Sequence, residues 1–396
     1  MVKNKKFAAK IGALALAAAM CLGSSVTAFA AGSNYGTNIG GVKTTTFNSY
    51  LVIDQTAEVP NAAFTYEVTA GVAKTYTAEG KSFEILAGVD ADKVTMAGVG
   101  TTTAKTIQFA QGDETKTDDN AHVKNYDKTT QKYVEKAATL DFSACAFTEP
   151  GIYRYVVTES GTNQGITNDA DLTRVIDVYV KDASTEAAKA LEVKGFVLHS
   201  NEDGSPDSPN AKGTGFTNGY DTVNLTFRKE VNGNQASRDK YFEFTVAIAN
   251  ATAGTKYPVD LSKADATSGT NAATIAANAG QANAAEITVG DDGTATQKFY
   301  LQHGQEIKIH GLAAGTTYNV TENAEDYTST AAGVTGFADA ASGTIADADI
   351  NTSYLNERNG VIPTGVVMAV APFAAIALIG AGGVIGLSMK KKKDED

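Results

Sequence analysis

Tryptophan is absent from the 396 residues, cysteine occurs twice, histidine four times and proline seven times. Cys21 and Cys145 are too few for a disulfide framework, and the sequence holds neither a CxxC pair nor a Cys/His zinc spacing. His122, His199, His303 and His310 are scattered, which argues against a histidine metal centre or triad. No metal and no cofactor are therefore expected. The GxSxG, P-loop and HExxH patterns are missing too, so a conventional enzyme is not expected. Positive charge is scarce: 33 Lys and Arg stand against 45 Asp and Glu, a net of −12, which disfavours binding to nucleic acid or to anionic lipid. What is present is a globular balance of 43% hydrophobic and 20% charged residues. The length suits two or three domains at roughly 150 residues each.

Both ends read as processing signals. Residues 1–30 form a secretory signal: Lys3, Lys5, Lys6 and Lys10 lead, Ile11 to Leu22 is apolar, and Ala28-Phe29-Ala30 supplies a small-x-small cleavage site. A lipoprotein site at Cys21 is the competing reading, but Met20 is bulkier than the small residue such sites prefer. Removal of this segment leaves Cys145 alone, as a buried filler or a free thiol.

At the other end, Val366 to Met389 is an apolar run of 24 residues, long enough at about 1.5 Å per helical residue to cross a hydrocarbon core of about 30 Å. Lys390 to Lys393 follow as a cytoplasmic stop. Val361-Ile362-Pro363-Thr364-Gly365 stands just before the run. The plainest reading is a single-pass anchor with a Pro-Gly linker. The order of pentapeptide, apolar span and basic tail in residues 361–396 resembles a Gram-positive sortase sorting signal, of a type closer to xVPTG than to LPxTG. That resemblance implies cleavage between Thr364 and Gly365 and transfer of the Thr364 carbonyl to an amine.

Between the ends, Thr, Val, Tyr, Phe and Gly are frequent, and short alternating runs such as Phe64-Thr65-Tyr66-Glu67-Val68 and Phe242-Glu243-Phe244-Thr245-Val246 are split by Asn, Asp and Gly. This is an all-β pattern. The one helix-like stretch, Thr185 to Leu191, is short enough to be a hairpin tip. A weak repeat divides the region. Gly151-Ile152-Tyr153-Arg154-Tyr155-Val156-Val157-Thr158-Glu159 matches Gly315-Thr316-Thr317-Tyr318-Asn319-Val320-Thr321-Glu322, and Phe216-Thr217-Asn218 matches Tyr354-Leu355-Asn356. Two tandem Ig-like β-sandwich domains are expected, at 31–220 and 221–360, almost without a linker. The first is larger, and the polar stretch Gln111 to Lys136 and the loop Ser200 to Gly215 account for part of its excess.

Residues two apart on a strand share a face. In the strand Leu225 to Val231, Lys229 therefore falls with Leu225, Phe227 and Val231. The same parity puts Glu322 with Tyr318 and Val320, and Asn356 with Ile350, Thr352 and Tyr354. Each could sit at a strand end and reach solvent. Their coincidence on the opening, penultimate and closing strands of one domain favours a shared buried site, because lone buried charges are costly and tend to neutralise.

On these strands and on the sorting signal, the chain resembles the major (backbone) pilins of Gram-positive bacteria, of the streptococcal type. The resemblance implies collagen-adhesin-B-like Ig domains that form their own Lys–Asn isopeptide bonds. Here it implies a bond from Lys229 to Asn356 with Glu322 as the proton shuttle: a neutral amine is nucleophilic, and a protonated acid can polarise the amide. It further implies a covalent surface pilus on the cell wall of a Gram-positive bacterium. The expected partners are a pilin-polymerising sortase, other copies of the chain, peptidoglycan and a host surface ligand. A non-polymerised wall-anchored adhesin or minor pilin would use the same signals.

The first domain departs from the pattern. Glu159 and Asn218 are present, but Ser49 stands where the family has lysine, and Lys43 lies six positions too early. No Lys–Asn bond is expected there. Glu159 and Asn218 would remain as a buried polar pair, either bonded to Ser49 through hydrogen or joined to it by an ester. The lysine that links subunits in the resembling pilins lies shortly before the closing strand of the first domain, where Lys212 fits; a solvated loop lysine is the alternative.

Overall fold

The computed structural model describes residues 39–78, 81–98, 105–185, 188–200, 215–263 and 283–360. The signal sequence, Lys212, the pentapeptide from Val361 to Gly365 and the apolar run after it lie outside the described residues. Among those that are described, the chain is all-β. A single 3-10 turn at Ala91–Lys93 is the one helical element, and no helix is long and apolar enough to cross a membrane.

Alternation of apolar and polar residues dictates the layering. Phe242, Phe244, Val246 and Ile248 are buried while the residues between them are only partly covered, as expected of a strand with one face on a core. Four sheets result, paired into two sandwiches. In the first, one sheet is built on Gly151–Ser160 between Thr173–Asp182 and Ala62–Ala70, and the other on Thr44–Asp54 between Gln131–Asp141 and Gly215–Tyr220. In the second, Thr222–Asn232 lies between Gln305–Ala313 and Ile350–Glu357, and faces a sheet of Ala295–Leu301, Phe242–Ala249 and Thr317–Asn323. Each sandwich has its own hydrophobic core.

One topological feature positions everything that follows. In both sandwiches the opening and closing strands are parallel neighbours. The two ends of each sandwich therefore run side by side on one sheet, although most of the domain's sequence separates them.

The polar stretch Gln111 to Lys136 is less of an excursion than the sequence suggests. Its last residues belong to Gln131–Asp141, which pairs antiparallel with the opening strand along its whole length. Val123, Tyr126 and Tyr133 from the same stretch cover the outer face of the opening strand, where Tyr50 and Val52 are buried. That strand is thus apolar on both faces, and its partner's charges hid a covering layer. The described ends of the helix-like stretch lie between the paired strands Thr173–Asp182 and Leu191–His199, where the Thr185 N–H bonds to Ala188 O. Cys145 is a core filler: it is buried, and desolvation raises its thiol pKa above the ordinary value.

The sandwiches meet with one residue, Asp221, between the closing strand of the first and the opening strand of the second. Ala313 of the second packs into the core of the first. Gln164 bridges the joint, its amide nitrogen donating to Asn250 O at 2.7 Å and lying 3.2 Å from Thr316 Oγ1, while its carbonyl accepts from Thr252 Oγ1.

Candidate functional site

In the second sandwich the opening strand turns Leu225, Phe227, Lys229 and Val231 into the core, and all four are fully buried. The closing strand pairs Tyr354 with Lys229 and Asn356 with Val231. Asn356 is therefore the diagonal neighbour of Lys229 on the same face, and it too is fully buried. Glu322 comes from the opposite sheet, where it pairs with Phe244. Its side chain reaches across the sandwich and is completely excluded from solvent.

The three side chains meet at Glu322 Oε1, which lies 2.6 Å from Lys229 Nζ and 3.1 Å from Asn356 Nδ2. Ser329 donates its hydroxyl to the other carboxylate oxygen at 2.7 Å. Lys229 Nζ also rests 4.4 Å from the centre of the Phe242 ring. Burial pulls the lysine pKa down to about 8, against the opposing pull of the Glu322 carboxylate. The amine is thus far closer to its neutral, nucleophilic form than an exposed lysine would be. Despite its contact with Glu322, Nζ makes no hydrogen bond of good geometry, and Asn356 Oδ1 has no partner among the described residues. Native cores rarely leave such groups unpaired, and where they do a chemical role is one of the explanations.

The first sandwich repeats this arrangement with different residues. Ser49 is fully buried in the opening strand and pairs with Phe216, while Asn218 pairs with Leu51, so Asn218 is again the diagonal neighbour. Glu159 is buried on the opposite sheet and pairs with Tyr66. Tyr66 was not singled out from the sequence, yet it organises the cluster: its hydroxyl lies 2.6 Å from Glu159 Oε2 and 2.8 Å from Ser49 Oγ. Having one proton, it donates to the carboxylate and accepts from the serine. Asn218 Nδ2 donates to the same Glu159 oxygen at 3.2 Å, and Asn218 Oδ1 accepts the Asp169 N–H at 2.9 Å. Burial raises the Glu159 pKa to about 7, overcoming the hydrogen bonds from Tyr66 and Asn218 that favour the anion. The aromatic strands of the repeat held a signal for Tyr66, because aligning Phe64 to Val68 with Phe242 to Val246 sets Tyr66 against Phe244.

Asp169 and Arg174 also brace the cluster, which residue parity could not reveal. Arg174 is fully buried, stacks 4.4 Å from the Phe216 ring centre and binds Asp169 Oδ2 at 2.6 Å. Asp169 in turn holds the closing strand through Thr217 N–H at 2.8 Å. The backbone of Asp169 is thereby fixed where it can serve the Asn218 carbonyl.

Comparison with known proteins follows this division. Residues 89–221 match the model of a Spy0128-like isopeptide containing domain, and residues 223–358 match a domain of unknown function, DUF7601. The fold of two tandem sandwiches is similar to that of the major pilin from Streptococcus pyogenes. A curated pilin from Streptococcus pyogenes serotype M1 is 26% identical over 385 residues, covering 93% of this chain and 97% of that protein. The crystal structure of the major pilin from Streptococcus pyogenes superposes with a TM-score of 0.51 at 21% identity, covering 81% of this chain and all of the other. A second crystal structure of that pilin, a mutant, gives 0.50 at 21% identity, with coverages of 81% and 100%.

Proposed function

We propose that the chain is the backbone subunit of a sortase-assembled pilus on the surface of a Gram-positive cell, and that its second sandwich welds itself with an amide from Lys229 to Asn356. The contact of Lys229, Glu322 and Asn356 in a dry core supports the weld most directly. Neutral Nζ attacks Asn356 Cγ, the Cγ–Nδ2 bond breaks, and ammonia leaves with one proton from the amine. Glu322, between nucleophile and amide, carries that proton. With the amide turned over, the protonated acid would donate to Oδ1 and draw charge from Cγ. The reaction occurs once per chain, on the chain itself.

An amide at this place joins the first strand of the sandwich to its last. By the loop-entropy reasoning used for disulfides, closing a loop of over about a hundred residues stabilises by roughly 4–5 kcal/mol. It also needs no oxidising surroundings, which suits a secreted chain with one remaining cysteine. In the assembled fibre, sortase would join Thr364 of one copy to Lys212 of the next, with the last copy transferred to peptidoglycan.

Two measurements test this reading. The intact mass of the mature chain should fall short by one ammonia, with a tryptic species joining the Lys229 and Asn356 peptides; two separate, unmodified peptides would overturn the weld. On a denaturing gel the surface protein should run as a high-mass ladder that disappears in Lys212→Ala. A ladder that persists would discard Lys212, and a single band from the unaltered chain would identify a non-polymerised adhesin or minor pilin instead.

A further inference from the structure

The strand registers set the two acids and the two asparagines in corresponding places, and two positions beside them differ in chemistry. Ser49 takes the place of Lys229, and Tyr66 takes the place of Phe244, as the strand registers require. The neighbours correspond as well. The Phe47–Tyr66 rings lie 5.0 Å apart and the Phe227–Phe244 rings 5.4 Å; Tyr66–Phe216 spans 5.3 Å and Phe244–Tyr354 5.5 Å. In each sandwich a polar group lies 2.6 Å from the acid, the lysine amine in the second and the tyrosine hydroxyl in the first.

We infer that the residue facing the acid across its sheet is a specificity-determining position for the weld: phenylalanine leaves the carboxylate to the amine and permits amide formation, whereas tyrosine occupies the carboxylate and replaces the weld with a hydrogen-bonded surrogate. The first sandwich otherwise keeps the apparatus of the reaction. Glu159 is buried beside Asn218, and the Asp169 N–H is already bonded to the amide carbonyl that would gather negative charge. Ser49 does not complete it: its hydroxyl bonds to Tyr66, which in turn bonds to Glu159, the acid that holds the Asn218 amide. This rests on the second-sandwich reading above.

The chemistry of a rebuilt site balances without a co-reactant. An amine at position 49 would bond to Asn218 Cγ, the Cγ–Nδ2 bond would break, and ammonia would leave with the proton relayed by Glu159.

The test uses the full mature chain made by cell-free synthesis, with intact mass followed over time and cross-linked peptides mapped. The unaltered chain is measured first. If it loses no ammonia, the second-sandwich reading fails and this inference falls with it, a failure distinct from those that follow. Given that first loss, Ser49→Lys with Tyr66→Phe should lose a second ammonia and yield a peptide joining position 49 to Asn218. Ser49→Lys alone should close roughly tenfold or more slowly, because the tyrosine hydroxyl must first be displaced from the acid. A reciprocal variant guards against misfolding of the first sandwich: Phe244→Tyr should slow closure of the Lys229–Asn356 amide by a similar factor. A folded double variant that loses one ammonia only, a single variant as fast as the double, or closure of Phe244→Tyr at the unaltered rate would each overturn the inference.

Discussion

Ser49 and Lys229 hold one and the same station in two successive sandwiches. Both are fully buried on the opening strand, and each has an asparagine of the closing strand as its diagonal neighbour. The lysine reaches its acid directly, at 2.6 Å. The serine is too short and reaches its acid through Tyr66. One sandwich thus presents an amine to its acid, and in the other the serine is connected to the acid through the tyrosine hydroxyl.

Removing the acid from the second sandwich should separate folding from welding. Glu322→Gln keeps the shape of the side chain but cannot carry a proton, so the variant should retain the full mass of Asn356 with its ammonia. Loss of the weld should lower stability by roughly 4–5 kcal/mol, which for a domain of this size corresponds to a melting temperature lower by about 10–20 °C. Calorimetry and intact mass on the same sample check both parts. An ammonia loss equal to that of the unaltered chain would remove Glu322 from the chemistry.

The first sandwich should weaken as pH rises through a window set by Glu159. Burial lifts its pKa to about 7 from the ordinary carboxylate value of 4.5. Between those values the folded chain holds a proton that the unfolded chain releases, so the contribution is full below the unfolded pKa and is lost as pH climbs through the folded one. The span corresponds to an effect on the order of 3 kcal/mol. Denaturant unfolding at pH 5 and pH 7.5 should show this difference for the unaltered chain and a much smaller one for Glu159→Gln. Equal slopes for the two would show that Glu159 titrates as an ordinary acid.

Strand parity was enough to put Lys229, Ser49 and Asn356 on core faces, because a period of two is robust wherever one face is buried. Parity carries no information about which strand lies opposite, however. Tyr66 belongs to the same alternating pattern as Phe64 and Val68 and reads as ordinary core, and its role emerges only when Glu159 is paired with it across the sheet. Arg174 was hidden for a different reason. A lone arginine in a strand reads as solvated, and here it is buried because five neighbours satisfy it: Asp169, the carbonyls of Gly215, Asp171 and Thr173, and the Phe216 ring. The layer formed by Val123 and Tyr133 escaped notice because two apolar residues among many charges do not make a periodic signal.

A second buried ion group in the first sandwich should be as sensitive as the sites themselves. Arg154 grips Asp177 with two bonds, at 2.7 and 2.8 Å, and His199 Nε2 lies 3.0 Å from the same carboxylate. Burial alone would raise the Asp177 pKa, but Arg154 and His199 hold it below the ordinary carboxylate range. Asp177→Asn removes the buried carboxylate that both Arg154 and His199 face and should cost roughly 3–5 kcal/mol, whereas a surface pair would cost under about 1. Urea unfolding of the variant against Lys93→Ala, which breaks the exposed pair with Asp90, makes the comparison within one chain. Similar losses for the two would mean that water reaches Asp177.

The joint between the sandwiches should be stiff, and two neighbouring residues account for it. Gln164 contacts Asn250, Thr252 and Thr316 of the second sandwich with one side chain. Gly165 follows with φ of +71°, and a Cβ there would stand 2.6 Å from the Ala313 Cβ. No other residue type combines that backbone with that closeness. Gln164→Ala removes the bridge without touching either core, so both sandwiches should keep their melting temperatures within about 2 °C while the angle between them broadens. Gly165→Val should do more, because it pushes Ala313 out of the first core and loosens the same face from both sides. Small-angle scattering of the full mature chain reads the outcome as a shorter mean end-to-end distance with a wider distribution, larger for the valine variant. Scattering curves that coincide with the unaltered chain for both variants would place the stiffness elsewhere, in the uninterrupted run from Gly215–Tyr220 into Thr222–Asn232.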